Sequence, residues 1–423
     1  MNESASHSAS LERTSAVLSD FPLRTRLILQ LLEKLKVGEL EVVLPDGGTR
    51  LYRGADTRVT PCLAAHRARI EIHDTNALSM AVTRGDIGFG EAYMLGMWSS
   101  PNLTALLRVL AANRDAVENV IYGRWWSVLT DQIRHLLRSN RKRQARRNIA
   151  AHYDLGNDFY RLWLDPTMNY SSALFDTAER DAQDVNLEVG QWRKMDRAID
   201  ELGLDATDTQ ARVLELGCGW GGLAQRLLDR AACRYKGLTL SSEQRQWAMG
   251  TLCRHADRAD IALQDYRDED GRYDGILSIE MFEAVGERYW DDYFSTLRRC
   301  LKPGGRALIQ TITIDAKLFE RYRRSTDFIQ QYIFPGGMLP SPEAFIDRAT
   351  RHGLMLERQF FFGQDYARTL AEWARQFESH RPTIEQMGFD GRFQRMWRFY
   401  LAYCEAGFAE GSIDVGQFTL RTA

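Results

Sequence analysis

The sequence predicts an α/β protein: a mostly parallel, Rossmann-like sheet with helical cap insertions, plus a small N-terminal α+β domain. Three observations predict it. From about residue 190, short apolar runs alternate with amphipathic stretches, the pattern of strands joined by crossover helices. The first of those runs ends in a glycine-rich turn, VLELGCGWGG (213–222). Near the N-terminus, GELEVVLPDGGTRLYRG reads as two strands around the turn Pro45-Asp46-Gly47-Gly48.

A chain of 423 residues predicts two or three domains. Residues 1–20 are small and polar, with no basic patch before an apolar run; they read as a disordered tail and not as a secretory signal. Residues 21–120 form the N-terminal α+β domain. In it PLRTRLILQLLEKLK (22–36) reads as an amphipathic helix. ARIEIHD (68–74) and ALSMAVTRGDIG (77–88) read as a continuation of the sheet, and LTALLRVLAA (103–112) as a helix. Residues 121–150 read as a basic helical linker: RHLLRSNRKRQARR (134–147) holds seven Arg or Lys and no acid. It is either a solvated linker or a contact with anionic lipid head groups, where each basic residue adds about 1 kcal/mol. Residues 151–423 form the α/β domain; its last part, from about 315 to 423, reads as helical and aromatic-rich, a cap over the carboxyl ends of the strands that contains FIQQYIFPGGMLPS (328–341).

Composition narrows the function. A net charge of −2 calls for no nucleic acid. No run approaches the roughly 20 apolar residues that cross a bilayer. Cys62, Cys218, Cys233, Cys253, Cys300 and Cys404 form no C-x-x-C pair. Neither a zinc site nor a disulfide framework is indicated, and a reducing cytoplasm is expected.

The glycine turn points to the cofactor. A buried strand ends at Glu215-Leu216, and Gly217, Cys218 and Gly219 open a turn in which backbone can approach a ligand closely. Dinucleotide enzymes use similar turns. Here a carboxylate precedes the glycines, unfavourable for a pyrophosphate but suited to the amino acid end of S-adenosylmethionine. The next strand ends at Thr239, so the acidic partner of an NAD ribose is missing. The third ends at Asp265-Tyr266, suited to an adenine amino group and face.

Longer motifs carry a resemblance. HYDLGNDFYRLWLDPTMNYSSALF (152–175), GLTLSSEQ (237–244), LQDYRD (263–268), MFEAVG (281–286), YIFPGGMLPS (332–341) and FGQDYARTL (362–370) resemble cyclopropane-fatty-acid synthases and their relatives. The resemblance implies a class I methyltransferase domain and an unsaturated acyl chain of a membrane phospholipid as substrate. It implies cofactor contacts at Tyr170, Ser171, Gly217, Gly219, Thr239, Gln244, Asp265 and Tyr266. The N-terminal module, with DIGFGEAYMLGMW (86–98), resembles a domain that aids dimerisation and lipid engagement. A homodimer in the cytoplasm, peripheral at the inner face of the membrane, is therefore expected.

The chemistry follows from the alkene, a poor nucleophile that a sulfonium methyl can alkylate once the two are oriented. Alkylation leaves a cation, which aromatic faces stabilise; Tyr170, Trp220, Phe282, Tyr332 and Phe334 are candidates, with core packing the competing role. A base then removes a proton, and the proton chosen decides between a cyclopropane, a methylene branch and a methyl-branched alkene. An open-chain product needs a separate reductase to become saturated. In cyclopropane synthases a bound bicarbonate is implied as the base. The resemblance places its pocket at Glu283, Tyr366 and the backbone of Ile312. Its cysteine position is Ser172 here, its histidine position Gln310, and the residue after Glu283 is Ala284. Glu280 replaces a small residue and adds a carboxylate three positions before Glu283. Such closeness raises one pKa and repels an anion. Glu280 is thus the candidate base in place of bicarbonate, and helix capping or arginine binding is the structural alternative. Cys404 matches a family cysteine but fits a buried helix, and His152 either reaches the ligand or orders its loop. Three rival functions stand beside this reading: bicarbonate-dependent cyclopropanation with Ser172 and Gln310, methylation of a soluble small molecule, and a lipid-binding module on a degenerate fold.

Overall fold

The computed structural model describes residues 23–54, 66–114, 155–176 and 185–422. The expected tail, Cys62, the basic stretch 134–147 and His152 lie outside the described residues. The chain divides into two compact units, residues 1–129 with 395–399 and residues 130–394 with 400–423.

In the first unit, α1 (Leu23–Leu32) precedes the hairpin of β1 (Glu39–Val43) and β2 (Thr49–Arg53). Gly47 turns it with φ +83°, a left-handed conformation that costs glycine no Cβ clash. β3 (Arg67–Ile72) pairs parallel with β1. Then come α2 (Asn76–Met94), β4 (Trp98–Ser99) and α3 (Leu103–Ala112), giving the sheet order β2-β1-β3-β4. The side chain of Asn102 caps α3 by accepting from the Ala105 N–H. Residues 77–88 do not continue the sheet: they are helical, with a kink at Gly85. The alternation Leu78, Met80, Val82 imitates a strand, but the buried set is Ala77, Leu78, Ala81 and Gly85. That spacing is one helix face.

The second unit carries a seven-stranded sheet. Its elements are α4 (Asn157–Arg161), α5 (Leu187–Glu201), β5 (Arg212–Leu216), α6 (Gly222–Arg230), β6 (Arg234–Thr239), α7 (Ser242–Thr251), β7 (Ala259–Leu263), β8 (Tyr273–Ile279), α8 (Trp290–Cys300) and β9 (Leu301–Ile314). There follow α9 (Ala316–Tyr322), α10 (Phe328–Tyr332), α11 (Pro342–Arg351), β10 (Leu354–Phe361), α12 (Gly363–Ser379), α13 (Arg381–Gln386), α14 (Gly391–Ala409) and β11 (Ile413–Thr422). The order is β10-β11-β9-β8-β5-β6-β7. β5 to β9 run parallel, and β11 lies antiparallel between β9 and β10. The fold class expected from the alternating pattern is the one observed, but the segment from about 315 to 423 is not wholly a helical cap: it also supplies β10 and β11 to the sheet, their short apolar runs being masked by the long helices around them.

Alternate residues of β5 feed two cores. Leu214 and Leu216 join Phe282, Trp290, Tyr293, Phe294 and Phe345. Val213 joins Met195, Leu223, Leu227 and Leu277. Each such fully buried side chain contributes roughly 1.5–3 kcal/mol, so a sheet packed on both faces is a rigid platform. The chain leaves β5 toward β6 and β7 on one side and returns to β8 and β9 on the other. The strand order therefore reverses beside β5, and ligands of such sheets bind at the carboxyl ends there.

Candidate active site

The loop after β5 is shaped by three left-handed glycines, Gly217 (φ +78°), Gly219 (φ +52°) and Gly221 (φ +88°). The Gly217 and Cys218 N–H groups donate to the Leu238 carbonyl, pinning the loop to β6. A Cβ on Gly217 would lie 2.9 Å from Met281 Cγ, whereas one on Gly219 would meet no atom within 4 Å. Gly219 thus faces open space with bare backbone, the form a ligand cradle takes. Beside it, Thr239 Oγ1 donates to Gln244 Oε1 at 2.9 Å, and Ser241 caps α7.

Glu215, at the end of β5, is buried and accepts from the Tyr235 hydroxyl. Burial pushes its carboxyl up to about 7, opposed by that bond and by Lys194. Asp265 is engaged by Arg267 through Nε at 2.8 Å and Nη2 at 2.7 Å. An adenine amino group would share that carboxylate with a guanidinium, a competition the sequence reading did not foresee. Tyr266 packs edge-on against Tyr293 at 5.7 Å. Cys218 is buried beneath the loop with its thiol pushed up by burial, so only its backbone can serve a ligand.

Lys194 on α5 was not singled out in the sequence. It is fully buried, and its Nζ donates to Ser171 Oγ at 2.6 Å. Burial lowers it to about 8 against the nearby Glu280, Asp165 and Glu215 carboxylates. Gln191, one turn before, donates to the Ser171 carbonyl at 2.8 Å. Two polar residues three apart on the stripe that also buries Met195 and Ala198 are the signal that could have found them. The Tyr170 hydroxyl shares a 2.7 Å hydrogen bond with that of Tyr400. Its ring lies among Tyr160, Trp163, Phe334 and Trp373, with centroids 5.3–6.3 Å away.

Glu280 follows β8 with φ +49°, one of two non-glycine residues held left-handed among the described residues. Such a backbone costs of order 1–3 kcal/mol and clusters at functional sites. Its N–H donates to the Gln310 carbonyl at 2.8 Å. Its carboxylate is fully dressed. Oε1 accepts from the Ser172 N–H at 2.9 Å and Gln310 Nε2 at 2.8 Å, and Oε2 accepts from the Tyr366 hydroxyl at 2.6 Å. Part of the residue remains accessible, yet burial is the leading influence and holds the carboxyl above the usual carboxylate range. Glu283 Oε1 accepts from the Ile312 N–H and the Thr311 hydroxyl, while Oε2 is buried without a hydrogen-bond partner. Burial, and then the Glu280 charge, push Glu283 up to about 8. The two carboxyls, both held above the usual carboxylate range, share one buried site, and their titrations are linked.

These contacts bear on several expectations. Among the described residues neither glutamate binds an arginine. Ser172 acts through its backbone, because its hydroxyl donates to the Ala173 carbonyl at 2.9 Å. Phe282 is fully buried against Trp290, Tyr293, Phe294 and Phe345, so it packs the core and does not face a cation. Trp220 is buried and donates to Asn157 Oδ1 at 2.7 Å. Tyr332 packs on Phe328 at 5.0 Å. Cys404, on α14, has its thiol pushed up by burial, which withholds the thiolate a nucleophile needs. The donors implied for bicarbonate are Tyr366, the Ile312 backbone and the Ser172 and Gln310 positions. All are bound by the two glutamates, so the anion does not fit this pocket.

Glu283 sets a pH dependence of stability. Its carboxyl titrates near 8 when folded and near 4.5 when unfolded. Between these values the folded state holds the extra proton, so stability falls as pH rises from 4.5 to 8. Glu283→Gln keeps an oxygen acceptor for Ile312 and Thr311 but cannot ionise. It is expected to melt close to wild type at pH 5 and roughly 3–6 °C above it at pH 8, equivalent to ~1–2 kcal/mol. Thermal denaturation at the two pH values checks this, and an equal offset at both would remove the assignment.

Comparison with known proteins places this geometry. Residues 140–418 match the family described as mycolic acid cyclopropane synthetase. The chain is 42% identical to tuberculostearic acid methyltransferase UfaA1 of Mycobacterium tuberculosis over 356 residues, covering 82% of each. It is 34% identical to cyclopropane-fatty-acyl-phospholipid synthase of Escherichia coli K12 over 356 residues, covering 83% of this chain and 87% of that protein. The crystal structure of mycolic acid cyclopropane synthase CmaA1 complexed with SAH and CTAB superposes with a TM-score of 0.59 at 32% identity. It covers 66% of this chain and 98% of that one. The chain belongs to the mycolic acid cyclopropane synthetase family and is an S-adenosylmethionine-dependent enzyme of it.

Proposed function

We propose that the protein transfers a one-carbon unit from S-adenosylmethionine to the cis double bond of a phospholipid acyl chain. The product is a methyl- or methylene-branched chain, and Glu280 is the base. The observation that carries this reading is the filled pocket: the donors that would hold bicarbonate are bound by Glu280 and Glu283 instead. Bound S-adenosylmethionine supplies an electrophilic sulfonium methyl group. The loop of Gly217, Cys218 and Gly219, with Tyr170, Ser171, Thr239 and Gln244, would hold it, with Glu215 and Asp265 available to its amino groups. The alkene π pair forms the new C–C bond, the C–S pair returns to sulfur, and the neighbouring carbon is left cationic. The wall of Tyr170, Phe334 and Trp373 excludes water and offers ring faces to that charge. Tyr366 bridges wall and base, its ring 6.0 Å from Trp373 and its hydroxyl on Glu280. Loss of a C–H proton beside the cation, its pair closing the new double bond, gives the methyl-branched alkene; a 1,2-hydride shift onto the cationic carbon, followed by proton loss from the new methyl group, gives the methylene branch. In either case Glu280 takes the proton. A carboxylate held above its usual range suits this transfer.

The 42% identity to a protein named as a methyltransferase supports the open-chain product. Among the described residues no helix is long and apolar enough to cross a membrane. On this reading the enzyme's place of action is the cytoplasmic membrane surface, where the basic composition of residues 134–147 favours anionic lipid. A homodimer, and a separate reductase that saturates the branch, complete the proposal.

The test uses cofactor with a deuterated methyl group and vesicles of cis-unsaturated phospholipid. A branch methyl with three deuteriums, or a methylene with two, is the expected product by mass spectrometry and proton NMR. Ring protons with two retained deuteriums would overturn the reading in favour of cyclopropanation. Label appearing only in a soluble acceptor would overturn the lipid substrate.

A further inference from the structure

A directed chain of hydrogen bonds runs from the Arg197 guanidinium to the carboxylate of Glu280. Arg197 Nη1, on α5, donates to Gln417 Oε1 at 2.5 Å. Gln417 Nε2 donates to Gln310 Oε1 at 3.0 Å, and Gln310 Nε2 to Glu280 Oε1 at 2.8 Å. The two glutamines are direct cross-strand partners in the antiparallel β9–β11 pair and both are buried, at 0% and 1% exposure. Neither can exchange its partners for water.

The direction of the chain is chemically forced. An amide oxygen and nitrogen look alike in shape, but a guanidinium can only donate. Gln417 must therefore turn its oxygen to Arg197 and its nitrogen to Gln310. Gln310 must in turn present its oxygen to Gln417 and its nitrogen to Glu280. Arg197 itself is anchored, with Nη2 3.4 Å from Glu201 Oε1 and its guanidinium 4.3 Å from the centre of the Phe360 ring. With the Ser172 N–H on the same atom, Glu280 Oε1 has two permanent N–H donors. Among the described residues Oε2 meets only a hydroxyl, that of Tyr366, which can rotate from donor to acceptor.

We propose that Arg197, Gln417 and Gln310 form a positioning relay that keeps Glu280 Oε1 an acceptor and reserves Oε2 as the atom that takes the substrate proton. The inference rests on the reading of Glu280 as the base. Once Oε2 carries the proton, the Tyr366 hydroxyl turns to accept from it, and no backbone movement is needed. The charged and titratable groups facing Glu280 are few. Lys194 approaches from α5, Glu283 from the turn after β8 and Tyr366 from α12. The Ser172 N–H comes from the loop at 169–176 and Gln310 from β9; Tyr170 and Cys404 stand behind Tyr366.

The test is the pH–rate profile of Gln417→Glu in the full-length enzyme, with vesicles of cis-unsaturated phospholipid. A carboxylate at 417 still accepts from Arg197 but has nothing to donate. Gln310 then turns its nitrogen to residue 417 and its oxygen to Glu280. The acid limb of kcat/KM is expected to rise by about one pH unit, with the high-pH plateau within about threefold of wild type, since a tenfold change accompanies each unit on the limb alone. Should Gln417→Glu fail to fold, Arg197→Met decides: it releases the chain from a partly exposed site and is expected to move the limb the same way. Arg197→Lys, still a pure donor, is expected to restore the wild-type profile. A uniform loss at every pH, or an unmoved limb in the folded variants, would overturn the relay. Glu280→Gln separates this from the parent reading. An active Glu280→Gln enzyme overturns the base, whereas an inactive one with an unmoved Gln417→Glu limb overturns the relay alone.

Discussion

Glu280→Gln is expected to lose about 10²–10⁴-fold in turnover, the range a positioned base contributes, with the affinity for S-adenosylhomocysteine within about threefold of wild type. The substitution is close to isosteric. The amide oxygen still accepts from the Ser172 N–H and Gln310 Nε2, and the amide nitrogen faces the Tyr366 hydroxyl, which turns to accept. The left-handed turn and its bond to the Gln310 carbonyl use backbone only. What disappears is the lone pair that takes the proton. In the wild type the rate rises with pH as Glu280 ionises, above the usual carboxylate range because the group is buried. In the variant that limb is absent. Single-turnover measurement of labelled lipid across pH reads both effects, and full activity in the glutamine variant would sink the base assignment.

Gly219→Val is the second large effect. A Cβ at this position enters open space, where the proposed site would offer bare backbone to the cofactor. A β-branched side chain is also a poor occupant of φ +52°. Binding of S-adenosylhomocysteine is expected to weaken at least about 100-fold, equivalent to roughly 2.7 kcal/mol, with no lipid product. The flanking core of Leu214, Leu216 and Leu227 is untouched, so unfolding remains a single cooperative transition. Gly250→Val is the control: it too meets no atom within 4 Å, but it sits on an exposed face of α7. Titration calorimetry that finds the two variants equally competent would remove the glycine loop from the cofactor site.

Much of this site was legible because its signals are local. The strands and helices of the sheet announce themselves through apolar runs of the right length. Glu280 and Glu283 stand three apart after a buried strand, and their mutual effect on Glu283 is the electrostatic consequence expected of two carboxylates held together. The strand expected over 77–88 failed for an equally local reason. Its apolar residues fit period two and the helical period alike, and small residues on the buried face weakened the helical signal. Ser172 was marked only as the position of the family cysteine, whereas the structure uses its N–H, and no side-chain pattern reports a backbone donor.

The sequence by itself determined the alternating sheet, the glycine turn at its first strand, the family and the presence of an extra carboxylate where a small residue is usual. All of these are properties of short segments, and local periodicity and turn chemistry suffice to reveal them. Tertiary structure alone decided which donors dress that carboxylate. Gln310 and Gln417 lie 107 residues apart, Arg197 and Gln417 lie 220 apart, and Lys194 approaches from a helix that precedes the sheet. Their meeting depends on the antiparallel insertion of β11 between β9 and β10. A one-residue slip of that register would turn Gln417 to the opposite face of the sheet.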